Sequence, residues 1–175
     1  IYILRAHPPE QAKVLSKITL NETHDAEIYV NRDKLAVLGR RYMYGLERMP
    51  YAYATGEASI KVYDISDKAR PVLTRTVSLN GTLSGSRMID NYVYAVVNQP
   101  AIGPSSNETE LKIVLPKIST ESAVKEVQPT EIRYVNISDV SYCFTTVVAV
   151  NILDDAQKPT YETFLTGATA QMYVS

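Results

Sequence analysis

Apolar and polar positions alternate along short stretches of this chain, and the apolar members are mostly β-branched or aromatic. A period of two sends successive side chains to opposite faces of a strand. Glu27–Asn31 (EIYVN) and Lys34–Leu38 (KLAVL) read as two strands joined through Arg32-Asp33. Arg87–Ile89 and Tyr92–Asn98 (YVYAVVN) read as another pair, joined through Asp90-Asn91, both of which tolerate the positive φ of a tight hairpin turn. Ile60–Ile65 and Val72–Leu79 flank Ser66–Pro71, and Val147–Ile152 and Tyr161–Leu165 flank Leu153–Thr160. Almost nothing carries the period of a helix.

The last two pairs are copies of one passage. Residues 60–79 read IKVYDISDKARPVLTRTVSL and residues 147–165 read VVAVNILDDAQKPTYETFL: strand, acidic turn, proline, strand. A degenerate copy, IYILRAHPPEQAKVLSKITL, opens the chain. Repeats of this size signal a propeller or another array. Each unit runs hairpin, long connection, then two more strands, and four antiparallel strands make the blade of a β-propeller. One blade spans residues 24–79 and a second spans 84–166; residues 1–20 supply the outer strands of a preceding blade, and 170–175 begin a following one. The expected fold is all-β: about two complete blades of a β-propeller plus partial flanking ones. A β-sandwich also has many short strands, but it gives no reason for the passage to recur.

The blades differ in their middle connections. Residues 42–59 interrupt the first and 99–144 the second, and loops this long are often functional. Within the second, Leu111–Leu115 and Ala123–Val127 are expected to pair as a hairpin, and Glu131–Val135 to form a short strand. Connections of this kind emerge on one end of a propeller, so both insertions are expected to crowd one face. The opposite face carries tight turns.

With 18 basic and 19 acidic residues and a net charge of -1, the chain lacks a dominant electrostatic grip on nucleic acid or an anionic membrane. The single cysteine, Cys143, forms no intramolecular disulfide and reads as a buried, inert thiol. No apolar run approaches the length of a membrane helix. Two histidines, His7 and His24, read as solvated loop residues, and the sequence has no Gly-rich phosphate loop, Cys-x-x-Cys or nucleophile elbow, so neither a cofactor nor a metal is expected. Carboxylates pair as Asp64 with Asp67 and Asp154 with Asp155, a set that could bind calcium or act as acid and base; Asp64 and Asp67 occupy the repeated turn, where Asp accepts backbone N–H groups, so they are read as architecture.

Tyrosine is over-used: 13 Tyr against 2 Phe and no Trp. Tyr42, Tyr44, Tyr51 and Tyr53 crowd the first insertion, interleaved with Arg40, Arg41 and Arg48; Tyr134 and Tyr142 stand in the second. Such a set suits recognition of protein or sugar, because Tyr offers a rigid amphipathic ring and Arg stacks and forks. The alternative is that these rings pack between blades. Asn-x-Ser/Thr triplets at Asn21, Asn80, Asn107 and Asn136 are candidate glycosylation acceptors.

Leu115–Ile118 (LPKI), the run PTEIRYVNISDVSYCFTTVVAVNILD from Pro129 to Asp154, and the IKVYDISD…PVL passage together resemble a family of secreted prokaryotic proteins with a C-terminal β-propeller distantly related to WD repeats. The resemblance implies a propeller and an extracytoplasmic location, and no catalytic residue set. A full propeller of that family has more blades than this chain encodes. The chain opens inside a strand pattern at Ile1 and closes inside one at Ser175, as expected of a segment of a longer protein. The expected function is binding of a protein or glycan. The competing reading is a polysaccharide hydrolase or lyase whose site further blades complete. Open blade edges and apolar blade faces are expected to make the chain self-associate.

Overall fold

A computed structural model describes residues 1–21, 24–42, 56–104, 111–134 and 142–166. Strands β1 (Tyr2–Arg5) and β2 (Lys13–Lys17) form a hairpin. β3 (His24–Asn31), β4 (Lys34–Tyr42), β5 (Gly56–Asp64) and β6 (Val72–Asn80) pair antiparallel in chain order as the first blade. The second blade consists of β7 (Thr82–Ile89), β8 (Tyr92–Pro100), β14 (Cys143–Asn151) and β15 (Thr160–Thr166). The strand that was expected over residues 170–175 lies outside the described residues.

The hairpin turns repeat. Arg32 and Asp90, each the first residue of its turn, take φ of 54° and 51°. The Ile65 N–H then donates to the Asp33 carbonyl at 2.8 Å, and the Ile152 N–H donates to the Asn91 carbonyl at 2.9 Å. In the acidic turns, Asp67 Oδ1 accepts from the Ala69 N–H at 2.9 Å and Asp154 Oδ1 from the Ala156 N–H at 3.0 Å. These carboxylates shape turns by satisfying backbone donors that a loop would otherwise leave to water. Hydrogen bonds from the Ser66 side chain and backbone hold Asp64 below the ordinary carboxylate range; the Arg70 guanidinium and the Ala69 N–H do the same for Asp67.

Alternation along the strands builds two cores. Leu35 and Val37 of β4 join Tyr63 and Ile65 on one face of the first blade, against Ile18 and the half-buried Ile1 and Ile3 of the first hairpin. Ala36 and Leu38 go to the other face, with Ala58, Ile60, Val62, Val77 and Leu79. There they meet Val93, Ala95, Val97, Val148, Val150 and Ile152 of the second blade. The period of two is therefore read out as blade-to-blade packing, with each face committed to a different neighbour.

The second insertion departs from expectation. Leu111–Ile113 (β10) pairs with Ile102–Pro104 (β9), and Val124–Glu126 (β12) pairs with Lys117–Thr120 (β11), so the hairpin expected between 111–115 and 123–127 does not form. Each strand takes the partner nearer in sequence, which costs less loop-closure entropy. β11 also pairs antiparallel with β6, Ile118 opposite Leu79, and Ile132–Tyr134 (β13) pairs parallel with β15. The sheets thus have the orders β12-β11-β6-β5-β4-β3 and β13-β15-β14-β8-β7.

Two expectations are refined. The insertion pairs with part of each blade's outer strand, β11 along Val77–Leu79 of β6 and β13 along Thr163–Leu165 of β15, and β12 and β13 become the outermost strands. The insertion also does more than crowd one end: it runs over the outer rim of both blades. Ile118 and Val127 enter the core between blades, and Ile132 packs against it, which ties this path down.

Candidate functional site

Where the insertion crosses from the first blade's rim to the second's, it leaves an open cleft of about 640 Å³. Its walls are Lys125 on β12, Thr130 and Glu131 in a 3-10 turn (Pro129–Glu131), Ile132 and Arg133 on β13, and Thr160, Tyr161 and Glu162 at the start of β15. Proline opens the 3-10 turn, where its missing N–H costs nothing. The turn's last residue, Glu131, reaches back so that Oε2 accepts from the Gln128 N–H at 2.9 Å. Glu131 Oε1 accepts from Lys125 Nζ, also at 2.9 Å, so each carboxylate oxygen has a donor.

On β13, Arg133 forks onto the neighbouring strand. Its Nε donates to Glu162 Oε2 at 2.8 Å and its Nη2 to Glu162 Oε1 at 3.4 Å. Two-pronged pairing fixes both planes in a way one ammonium cannot. The Arg133 guanidinium holds Glu162 below the ordinary carboxylate range, and Glu162 raises Arg133 in turn. The Gln128 N–H and then Lys125 hold Glu131 low. Both carboxylates are therefore ionised acceptors.

Tyr161 lines the cleft with its hydroxyl buried. Lys125 Nζ stands 5.0 Å from its ring centroid, a cation–π distance. The Tyr161 hydroxyl and, after it, Glu131 hold Lys125 above the ordinary lysine range. Tyr161 Oη is buried beside Lys125 and Glu131, close enough to raise the first and lower the second, yet not in good hydrogen-bond geometry with either. The cleft thus holds two cations, two carboxylates, two threonine hydroxyls and one buried phenol.

The residues singled out from sequence lie elsewhere. Arg40 is near Asp25 at 3.9 Å, and Arg41 pairs with Glu57 at 2.9 Å, so both arginines lean on carboxylates of their own blade. Tyr134 and Tyr142 are exposed on the second blade, at the end where the insertion leaves and returns. The expected Arg–Tyr set is therefore divided between blades. Tyr44, Arg48, Tyr51, Tyr53, Asn107, Asn136 and the Tyr42 side chain lie outside the described residues. Asn21 is exposed in a turn, and Asn80 accepts the Lys117 N–H through Oδ1. Cys143 is buried. Sequence reading took Glu131–Val135 as a strand and missed Lys125, Glu131, Arg133, Tyr161 and Glu162 as a set. Their one sequence signal was the alternation of charge within EIRYV.

Among the described residues, no group of three or more His, Cys, Asp or Glu could hold a metal ion, and no helix is long and apolar enough to cross a membrane. Two four-stranded antiparallel blades packed face to face, preceded by a two-stranded hairpin, are the architecture of β-propeller blades. The profile of the family described as "Beta propeller domain" matches residues 1–175, and the chain belongs to that family. No curated protein and no solved structure matches it.

Proposed function

We propose that this chain is an extracytoplasmic binding module that holds a protein or glycan on the surface built by its second insertion. One observation carries the reading: the insertion paves the rims of both blades and leaves a polar cleft between its strands and β15, with Tyr134 and Tyr142 exposed nearby on the second blade. A loop that served only to connect β8 and β14 would need none of this. Exposed aromatic residues beside a sheet suit recognition, since their rings bury area at little entropic cost. The extracytoplasmic location rests on the likeness to secreted proteins.

The test is retention of ligands from a glycan array and from extracellular proteins, for the unaltered chain and for the double variant Tyr134→Ala/Tyr142→Ala. Binding that drops in the variant supports the proposal; binding equal in both chains overturns it.

Self-association belongs to the same reading, through the exposed face of the first blade as well as through the edges that stay open. Ile28 and Val30 are 53% and 55% exposed on the first blade, on the face that carries Val37 and Leu35 opposite them. At the corresponding hairpin positions of the second blade, Met88 packs against the core between the blades and Ser86 bonds across to Tyr29 at 2.8 Å.

A further inference from the structure

We infer that the rim cleft between β12, β13 and β15 is a subsite for a neutral, hydroxyl-rich sugar. This rests on the binding-module reading and names the ligand class of that surface. Charge balance is the first argument. Lys125 and Arg133 are matched by Glu131 and Glu162, each pair closed at 2.8–2.9 Å. A phosphate or carboxylate entering the cleft would meet two carboxylates that are already ionised. An ammonium group would meet two cations. A ligand without net charge pays neither cost.

Hydrogen-bond chemistry is the second. Carboxylates accept only, guanidinium and ammonium groups donate only, and Thr130, Thr160 and Tyr161 do both. Interleaved within one cleft, these groups match adjacent sugar hydroxyls, each of which donates and accepts. Glu131 accepts on both oxygens and Glu162 from two prongs, which orients these partly exposed acceptors within the cleft. Tyr161 Oη is the third: it is buried beside Lys125 and Glu131 but poorly aligned to both, so it can turn to a better-placed hydroxyl. The volume of about 640 Å³ falls within the range of small-ligand sites and admits a short oligosaccharide. Because Lys125 covers the Tyr161 ring, recognition here is polar and not by ring stacking.

Titration calorimetry with maltotriose, cellotriose and chitotriose, against trigalacturonate as the anionic counterpart, tests the inference. The expected result is binding of at least one neutral trisaccharide, weakened about tenfold by Glu162→Gln and by Thr160→Val. Trigalacturonate should bind more weakly than that trisaccharide. Tyr161→Phe, which keeps the ring in the core, should weaken binding with the melting temperature unchanged. Tighter binding of trigalacturonate, indifference of neutral binding to all three variants, or no neutral trisaccharide bound at millimolar concentration would overturn it. If Tyr134→Ala/Tyr142→Ala abolishes ligand retention while the cleft variants do not, the module reading stands and the sugar cleft falls. If neither set alters retention, both fall.

Discussion

Arg75 donates from Nη1 to the Asp154 carbonyl at 3.2 Å across the seam between the blades. The same guanidinium reaches the Asn151 carbonyl at 3.3 Å and the Gln157 carbonyl, so one side chain from the first blade closes the outer turn of the second. Arg75 is 5% exposed, and each of these partners is a backbone acceptor. Arg75→Ala leaves those carbonyls short of donors and opens a void at the seam. The expected loss is about 3 kcal/mol, measured by urea unfolding. Arg75→Lys should recover part of it, because an ammonium group reaches fewer of the carbonyls at once.

The insertion is part of the core. Val127 is 0% exposed among residues of both blades, whereas Val124, three positions earlier, is 68% exposed. Val127→Ala should cost about 2 kcal/mol and Val124→Ala close to nothing. Equal melting temperatures for the two variants would contradict the path described for residues 111–134.

Two backbone positions respond in opposite directions. Gly81 takes φ of 122°, and a Cβ added there would lie 2.6 Å from the Asn98 carbonyl oxygen. Gly81→Ala should therefore destabilise by about 2 kcal/mol or more. Arg32, at φ of 54°, is a non-glycine residue in the left-handed region. Arg32→Gly removes that strain at some entropic cost in the unfolded chain and should stabilise by about 0.5 kcal/mol. Thermal melts of both variants decide the point.

Acid should loosen the fold. Asp64, Asp67, Glu131 and Glu162 are all held below the ordinary carboxylate range. A depressed folded pKa contributes stability above the unfolded value, and that contribution is lost as pH falls through the folded value. The melting temperature should thus decline below about pH 4. Glu162→Gln should decline less steeply. Lys125 and Arg133 are raised, so their contributions are lost only as pH climbs through their folded values, beyond the ordinary lysine and arginine ranges.

Ile28→Lys/Val30→Lys should reduce self-association of the chain, read as a fall in apparent mass by light scattering at high concentration. A charged residue on that exposed face removes apolar contact and adds repulsion between copies. A monomer at every concentration before substitution would contradict the proposal.

The blades were legible because their signals are local. Alternation marks β4 and β5, Asp90-Asn91 marks a turn, and Asp67 and Asp154 repeat the same hydrogen bond in the same place. Rim pairings had no such signal. β11 and β13 are four and three residues long, too short for a period to show, and their partners lie far off in the chain. The cleft escaped for the same reason: Lys125 and Glu162 become neighbours only once both rims are covered. Proline shows what sequence could and could not say. Pro71 precedes β6, where a missing N–H suits an edge strand, yet β11 pairs with β6 further along, at Val77–Leu79, beyond the reach of that missing donor.

A repeat array is ordinarily modular, each unit stable by itself and by its nearest contacts. Here the outermost strands of the first blade, β11 and β12, are encoded inside the second. Copying or exchanging the first blade alone would leave its rim behind in another stretch of the gene. The heritable unit is therefore the stitched pair, and insertions that alter the rim of one blade are constrained by the fit of the other.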